Sequence, residues 1–193
     1  MKRVIRNEDA FTGLEAAIVL IAFVVVAAVF SYVVLGAGFF TTQKSQEVVH
    51  SGVTQAASNI VVKGEVYGIA NTGMTAVERI RFDVGLAAGG LPVDIQQAAF
   101  TLSTENEVQS LTFNTTTGTQ PGDGNWTIGE RHPTTETDNI LQAEESMTIY
   151  VDSGSIALSP RTMFNLEIKP EIGASLGVQR TIPPSITNVT LLY

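Results

Sequence analysis

The side chains that could do acid–base or nucleophilic chemistry are few in this sequence, and they do not form a recognisable set. The chain contains two histidines and no cysteine. Neither His50 nor His132 lies at a spacing used by known catalytic or metal-binding motifs. Ser and Thr are plentiful, but no base accompanies them in a known arrangement. We therefore predict that the chain is not an enzyme, and the lack of cysteine excludes disulfides and thiolate metal sites.

One loop carries the residue types that bind a hard cation. Asp123, Gly124 and Asn125 lie in a glycine-rich segment, and their oxygen atoms could ligate calcium. An ordinary Asx turn is the more common meaning of such a segment. We therefore expect no cofactor, with calcium at this loop as the alternative.

Three asparagines stand in the N-x-[ST] acceptor pattern for N-glycosylation, namely Asn114, Asn125 and Asn188. The pattern indicates surface-exposed asparagine in an exported protein. Asn114 and Asn125 flank a predicted exposed loop and are the preferred candidates, whereas Asn188 falls near a predicted final strand. An unmodified polar surface is the alternative at each position.

The charge balance excludes one class of partner. The chain has 19 acidic and 11 basic residues, a net charge of −8. A basic patch is what neutralises the phosphates of a nucleic acid. Because no such patch is visible, we expect no binding to nucleic acid.

A polarity step near the N-terminus predicts how the chain is targeted. Residues 1–10 are charged throughout, and residues 16–40 are apolar apart from Ser31 and Tyr32. As a helix the apolar run reaches roughly 37 Å, enough to cross a bilayer core of about 30 Å. An ordinary secretory signal has a shorter core and a small-residue cleavage site after it. The remaining interpretations are an uncleaved membrane anchor with its N-terminus inside and a leader cut before the apolar run, between Ala10 and Phe11.

The helix is predicted to continue beyond the apolar run as an amphipathic segment. Val48, Val49, Val53, Ile60 and Val61 recur at spacings near three and four. The expected helix therefore occupies residues 11–62 and ends at Lys63 and Gly64, since glycine commonly follows a last helical turn. A rod on the order of 75 Å long cannot be buried by a domain of this size. It needs lipid or copies of itself.

Beyond this helix the hydrophobic period changes to two. Alternating apolar residues predict strands around residues 80–86, 98–102, 147–151 and 164–168, with turn signals between them. Residues 115–124 are the expected long exposed loop, and Pro183 and Pro184 are expected to interrupt the last strand pair. Residues 63–193 therefore predict an antiparallel β-sandwich or barrel, which gives the whole chain an α+β architecture.

The N-terminal pattern resembles that of type IV pilin-like proteins, which a membrane peptidase cuts on the cytoplasmic side of the apolar helix. The segment from Phe11 to Tyr32 resembles the mature start of archaeal flagellins (archaellins), with Gly13 at their third position. Residues 180–186, with the sequence RTIPPSI, resemble a C-terminal segment of the same family. The resemblance implies an immunoglobulin-like sandwich for the C-terminal domain, and it raises the expectation of N-glycosylation.

Glu15 has two compatible interpretations. Thr12 and Glu15 have the spacing of a capping box at a helix start, and a carboxylate in the first turn suits the helix dipole. The family resemblance implies instead that Glu15 pairs with the new α-amine of a neighbouring subunit. Because both charges must lose their hydration in an apolar medium, such a pair sets register more than it stabilises.

The resemblance predicts a structural subunit of the archaeal flagellum (archaellum), which polymerises through its N-terminal helix and serves swimming. Its expected partners are other copies of itself or other archaellins, a pilin-type leader peptidase, the archaellum motor and assembly platform, an oligosaccharyltransferase, and the membrane before assembly. The expected location is the extracellular filament, with a precursor in the cytoplasmic membrane. The alternatives are a type IV adhesion pilin and a monomeric membrane-anchored binding module.

Overall fold

The computed structural model describes residues 7–116, 118–134 and 137–193, so residues 1–6 of the predicted leader lie outside it. The chain divides into two compact units, Met1–Ser51 and Gly52–Tyr193. A single long helix, α1, spans Asn7–Ala57. Among the described residues eleven strands follow it: β1 Ile60–Ala70, β2 Val77–Leu86, β3 Val93–Asp94, β4 Ala99–Thr104, β5 Val108–Phe113, β6 Asn125–His132, β7 Ile140–Leu141, β8 Ser146–Asp152, β9 Met163–Lys169, β10 Leu176–Thr181 and β11 Val189–Leu192.

The predicted end of the helix near Val62 was wrong. The helix stops at Ala57, where Ser58 Oγ donates to the carbonyl of Thr54 (2.8 Å) and Asn59 Nδ2 donates to that of Ala56 (3.1 Å). The Asn59 bond satisfies a carbonyl that the last helical turn leaves open, while the Thr54 carbonyl also accepts the backbone N–H of Ser58 (3.0 Å). The β-branched residues that follow favour a strand, and Ile60 is buried in the sheet domain. The predicted stop at Gly64 is instead a left-handed residue inside β1, where the register with β2 shifts.

The strands form two layers around one core. One layer has the order β11-β1-β2-β8-β6 and the other β10-β9-β4-β5, and all neighbours within a layer are antiparallel. The layers are joined by a short parallel pairing of β5 with β6. At the opposite ends of the order, the backbone N–H of Thr181 donates to the carbonyl of Tyr193 at 2.6 Å. A small ribbon of β3 with β7 completes the domain.

The core confirms the sequence periodicity. The inward residues of β2, β4, β8 and β9 are all buried: Ile80, Phe82, Val84, Leu86, Phe100, Leu102, Met147, Ile149, Val151, Phe164, Leu166 and Ile168. At its centre the rings of Phe100 on β4 and Trp126 on β6 stack across the two layers, with centroids 4.0 Å apart. The predicted antiparallel sandwich is therefore confirmed, and Pro183 and Pro184 lie between β10 and β11 as expected.

Candidate assembly site

The helix α1 presents apolar side chains around its whole circumference. The large apolar side chains between Leu14 and Phe40 each expose more than half of their surface, with Phe30 at 69% and Phe23 at 71%. Within the described residues, Thr12–Ala56 is the one stretch long and apolar enough to cross a bilayer by length and composition, and an 18-residue window inside it has a mean hydropathy of 3.0. A helix that is apolar all round is stable in lipid or in the core of a larger assembly.

Two threonine hydroxyls at the C-terminal end of the apolar segment are satisfied by the helix itself. Thr41 Oγ1 donates to the carbonyl of Ala37 at 2.8 Å, and Thr42 Oγ1 donates to that of Gly38 at 3.0 Å. A buried hydroxyl without a partner would cost free energy. These two bonds therefore let the apolar segment be buried as far as Thr42 without an unsatisfied hydroxyl at either threonine.

Charged residues mark both ends of the apolar segment. Glu15 is the first charged residue after the predicted leader, and the next charged residue is Lys44. Lys44 Nζ lies 2.7 Å from the Glu47 carboxylate, and both side chains are exposed. An exposed pair of this kind contributes at most about 1 kcal/mol. Its main consequence is to place a solvated boundary at the C-terminal end of the apolar segment.

The glycines of α1 are not required by contacts within the subunit. A methyl group added to Gly13, Gly36 or Gly38 would meet no atom within 4 Å. The contrast is Gly68 in β1, where an added methyl would lie 2.9 Å from a Val77 methyl carbon. Any need for small residues at these helical positions must therefore come from the close approach of another molecule.

The predicted leader boundary, between Ala10 and Phe11, lies inside the helix. Because α1 begins at Asn7, Ala10 and Phe11 are helical in backbone, and the residues before Asn7 lie outside the described part. Thr12 and Glu15 therefore occupy the helix interior, so the predicted capping box does not cap this helix. Glu15 is exposed. Its predicted pairing with a neighbouring amine stays a prediction.

The three glycosylation candidates differ in accessibility. Asn114 is half-buried, and its amide nitrogen donates to the Pro121 carbonyl at 2.6 Å. Asn125 is also half-buried at the start of β6. Asn188 precedes β11 and is exposed. The geometry therefore favours Asn188, which the sequence ranked below the other two.

The candidate calcium loop packs around a carboxylate that the sequence did not single out. Asp152 at the end of β8 is buried and accepts the backbone N–H groups of Gly154 (2.8 Å) and Gly124 (3.4 Å). Burial raises the pKa of Asp152 above its ordinary value of 3.8, and these two hydrogen bonds act in the opposite direction. The Asp152 carboxylate is thus hydrogen-bonded to both turns, the one that contains Gly124 and the one that contains Gly154.

No metal cluster accompanies this loop in the part of the chain that the structure describes. There, three or more His, Cys, Asp or Glu side chains do not come together in a way that could hold an ion. Calcium at Asp123 and Asn125 stays a prediction. His132 lies at the exposed end of β6, 3.8 Å from the Glu130 carboxylate.

Comparison with known proteins identifies the family. The family model for archaeal-type flagellin matches residues 10–180. Probable flagellin 2 of Archaeoglobus fulgidus is 42% identical, over 97% of this chain and 96% of its own length. A solved structure of the archaeal flagellum of Methanospirillum hungatei strain JF1 is similar, with 37% identity, a TM-score of 0.73 and coverage of 94% of this chain and 99% of that one.

A second solved structure supports the fold alone. The archaeal flagellin FlaB1 of Methanocaldococcus jannaschii is 19% identical, with a TM-score of 0.60 over 70% of this chain and 97% of that one. The family match over most of the length, the long apolar helix and the antiparallel β domain agree with one another. This chain belongs to the archaeal-type flagellin family.

Proposed function

We propose that the chain is a structural subunit of an archaeal flagellum filament, in which α1 forms the core and the β domain the outer wall. The observation that carries the proposal is the exposed apolar surface around the whole circumference of α1. Its support is the family match and the similarity to the filament structure from Methanospirillum hungatei. The role is mechanical and uses no catalytic site.

Burial of α1 between copies would stabilise the filament strongly against dissociation into water. Burial of one large apolar side chain stabilises the assembly by about 1.5–3 kcal/mol, and α1 exposes many such side chains. Transfer from lipid is different, because lipid tails are as apolar as the helix core. Van der Waals packing and an assembly machine must therefore drive the step from membrane to filament, which is why we infer a motor and assembly platform as partners.

Processing prepares the helix for this transfer. We place the cut by a pilin-type leader peptidase between Ala10 and Phe11, directly before the apolar segment that the family match includes. Cutting there removes the first turn of the uncut helix and makes Phe11 the terminal amine. After the cut, Thr12 and Glu15 belong to the first helical turn, where the Glu15 carboxylate suits the helix dipole. There it can pair with the terminal amine of a neighbouring subunit. Gly13 leaves room for that approach.

The β domain faces the extracellular medium in this proposal. The acidic chain keeps filaments solvated and apart, and an oligosaccharyltransferase adds glycans to exposed acceptor asparagines, with Asn188 the most accessible. Before assembly the precursor sits in the cytoplasmic membrane through α1. Rotation of the finished filament propels the cell.

Filaments sheared from cells test the proposal. We expect the filament protein to begin at Phe11 by N-terminal sequencing, with an intact mass equal to residues 11–193 plus any glycan. A strain without this gene should lose filaments and swimming. Lost surface attachment with normal swimming would support an adhesion pilus instead, and an exported protein that starts at Met1 and never sediments as filaments would support a monomeric anchor.

A further inference from the structure

The acceptor triplet at Asn188 is closed by the fold at its third residue. Asn188 itself is exposed just before β11, but Thr190 on β11 exposes only 8% of its surface. The Thr190 hydroxyl accepts the backbone N–H of Thr187 at 2.9 Å and donates to the Thr187 carbonyl at 3.1 Å. The Asn188 carbonyl in turn accepts the backbone N–H of Ala70 at 3.1 Å. Both the hydroxyl and the backbone of this triplet are therefore engaged in the folded domain.

The triplet at Asn125 is closed in the same way. Asn125 is half-buried at the start of β6, and Thr127 exposes only 1% of its surface. The Thr127 hydroxyl donates to the Thr116 carbonyl at 2.7 Å, and Thr127 is paired with Tyr150 of β8 in the sheet register. Access to this hydroxyl therefore requires local unfolding of the domain. The triplet at Asn114 differs, because its third residue, Thr116, is exposed.

Attachment of an N-linked glycan needs both ends of a triplet at once. Serine and threonine share only their hydroxyl, so the acceptor pattern means that the transferring enzyme contacts this group. The reaction forms a bond between the asparagine Nδ2 and the anomeric carbon of the first sugar, and it breaks the bond between that carbon and the phosphate of a lipid-linked donor. Nδ2 loses one of its two hydrogens as a proton, and the lipid phosphate leaves with the electron pair of the broken bond. While Thr190 and Thr127 are buried, an enzyme cannot hold Nδ2 and the hydroxyl together at Asn188 or Asn125.

We propose that Asn188 and Asn125 receive their glycans before β11 and β6 join the sheet, so that folding of the β domain ends the modification. The inference rests on the proposed function, in which the chain is exported and meets an oligosaccharyltransferase. Asn188 is exposed in the folded domain, so a glycan attached to it earlier lies outside the core. The order of steps is therefore glycan transfer, folding of the β domain and then filament assembly. A chain that folds first carries no glycan at these two positions.

Glycan transfer to folded and unfolded chains tests this order. Both full-length chains are made without glycans and mixed in detergent with solubilised membranes that contain the transferase and its lipid-linked glycan. The unfolded chain carries Phe100→Ala and Phe164→Ala, which remove two buried aromatic side chains from the core. Its Trp126 emission must show that the core is lost, and Phe82→Ala is added if it does not.

An engineered acceptor shows whether the enzyme accepts a folded chain. Val108→Thr, present in both chains, gives residues 106–108 the acceptor pattern. Asn106 is exposed and Val108 exposes 73% of its surface, so both groups that the enzyme needs are accessible there. Mass spectrometry of peptides measures the rate of transfer at each asparagine. We expect transfer to Asn188 and Asn125 to be at least about tenfold slower in the folded chain, because it requires local opening, and transfer to Asn106 to differ by less than about twofold.

Equal rates in the two chains at Asn188, or at Asn125, would overturn the inference. Transfer to Asn106 without transfer to either native site in the unfolded chain would overturn it too, because the native sites would then not be acceptors. If no asparagine is modified in either chain, the oligosaccharyltransferase is not a partner, and the inference falls with that part of the proposed function. None of these results depends on filaments, so the N-terminus and filament tests of the proposed function are decided separately.

Discussion

Truncating one core-forming side chain of α1 should weaken the filament without touching the β domain. Phe30 exposes 69% of its surface in the isolated chain. Burying a whole aromatic side chain removes about 150–250 Å² from water, so about 100–170 Å² of Phe30 is left for burial between copies. At about 25 cal/mol per Å² this corresponds to about 2.5–4 kcal/mol per subunit. Because alanine retains the Cβ, we expect Phe30→Ala to cost about 2–3 kcal/mol.

A sedimentation assay measures this cost. Each 1.4 kcal/mol is a factor of ten in an equilibrium constant, so the subunit concentration left unpelleted at equilibrium should rise about 30- to 150-fold. The matched control is Met163→Ala, because Met163 is also largely exposed, at 54%, but lies on β9 of the β domain and not on α1. It should leave the filament unchanged. Emission from Trp126, the one tryptophan in the chain, should be identical in both variants because the β domain is intact. An unchanged unpelleted concentration for Phe30→Ala would refute burial of α1 between copies.

Three further predictions concern the β domain. Phe100→Ala should lower its free energy of unfolding by about 3–5 kcal/mol, because Phe100 is buried against Trp126; unchanged denaturation of dissociated subunits, followed by Trp126 emission, would contradict this packing. The raised pKa of Asp152 means that the folded state holds this proton more tightly than the unfolded state, so this group makes stability fall as pH rises from 3.8 through the folded pKa. Asp152→Asn should remove that pH dependence, and in denaturant titrations at pH 7 its free energy of unfolding should equal or exceed that of the wild type. A clearly lower free energy of unfolding at pH 7 would show that the Asp152 charge itself is needed. Asn188→Gln should lower the intact mass of the filament protein by one glycan. If only Asn114→Gln lowered the mass, the ranking of the glycosylation candidates by exposure would be wrong.

The strongest predictions from the sequence were those that depend on local pattern. An apolar run broken only by Ser31 and Tyr32 predicts a membrane-length helix, because nearly every residue in it favours the same environment. Strand periodicity was equally informative, since alternation puts Ile80, Phe82 and Val84 on one face whatever the partner strand is. The end of α1 was missed by a few residues because Ile60 and Val61 continue the helical spacing, although their β-branched side chains favour a strand.

The order of strands was not available from the sequence. Pairing of β1 with β11 joins segments from opposite ends of the domain, and no local pattern records which distant strand a given strand will meet. The role of Asp152 was missed for the same reason, since its acceptor contacts come from two separate turns. The exposure of Asn188 likewise depends on what packs around it, which the acceptor triplet does not show.

The sequence by itself therefore determined the long apolar helix and the β-rich character of the remainder, because helix length, hydropathy and period two are properties of neighbouring residues. Only the tertiary structure decided which surfaces of the β domain are apolar. Tyr67 and Leu191 are unremarkable as single exposed residues. They become a patch because the register of β1 with β11 places them side by side, and a register is a relation between distant segments of the chain.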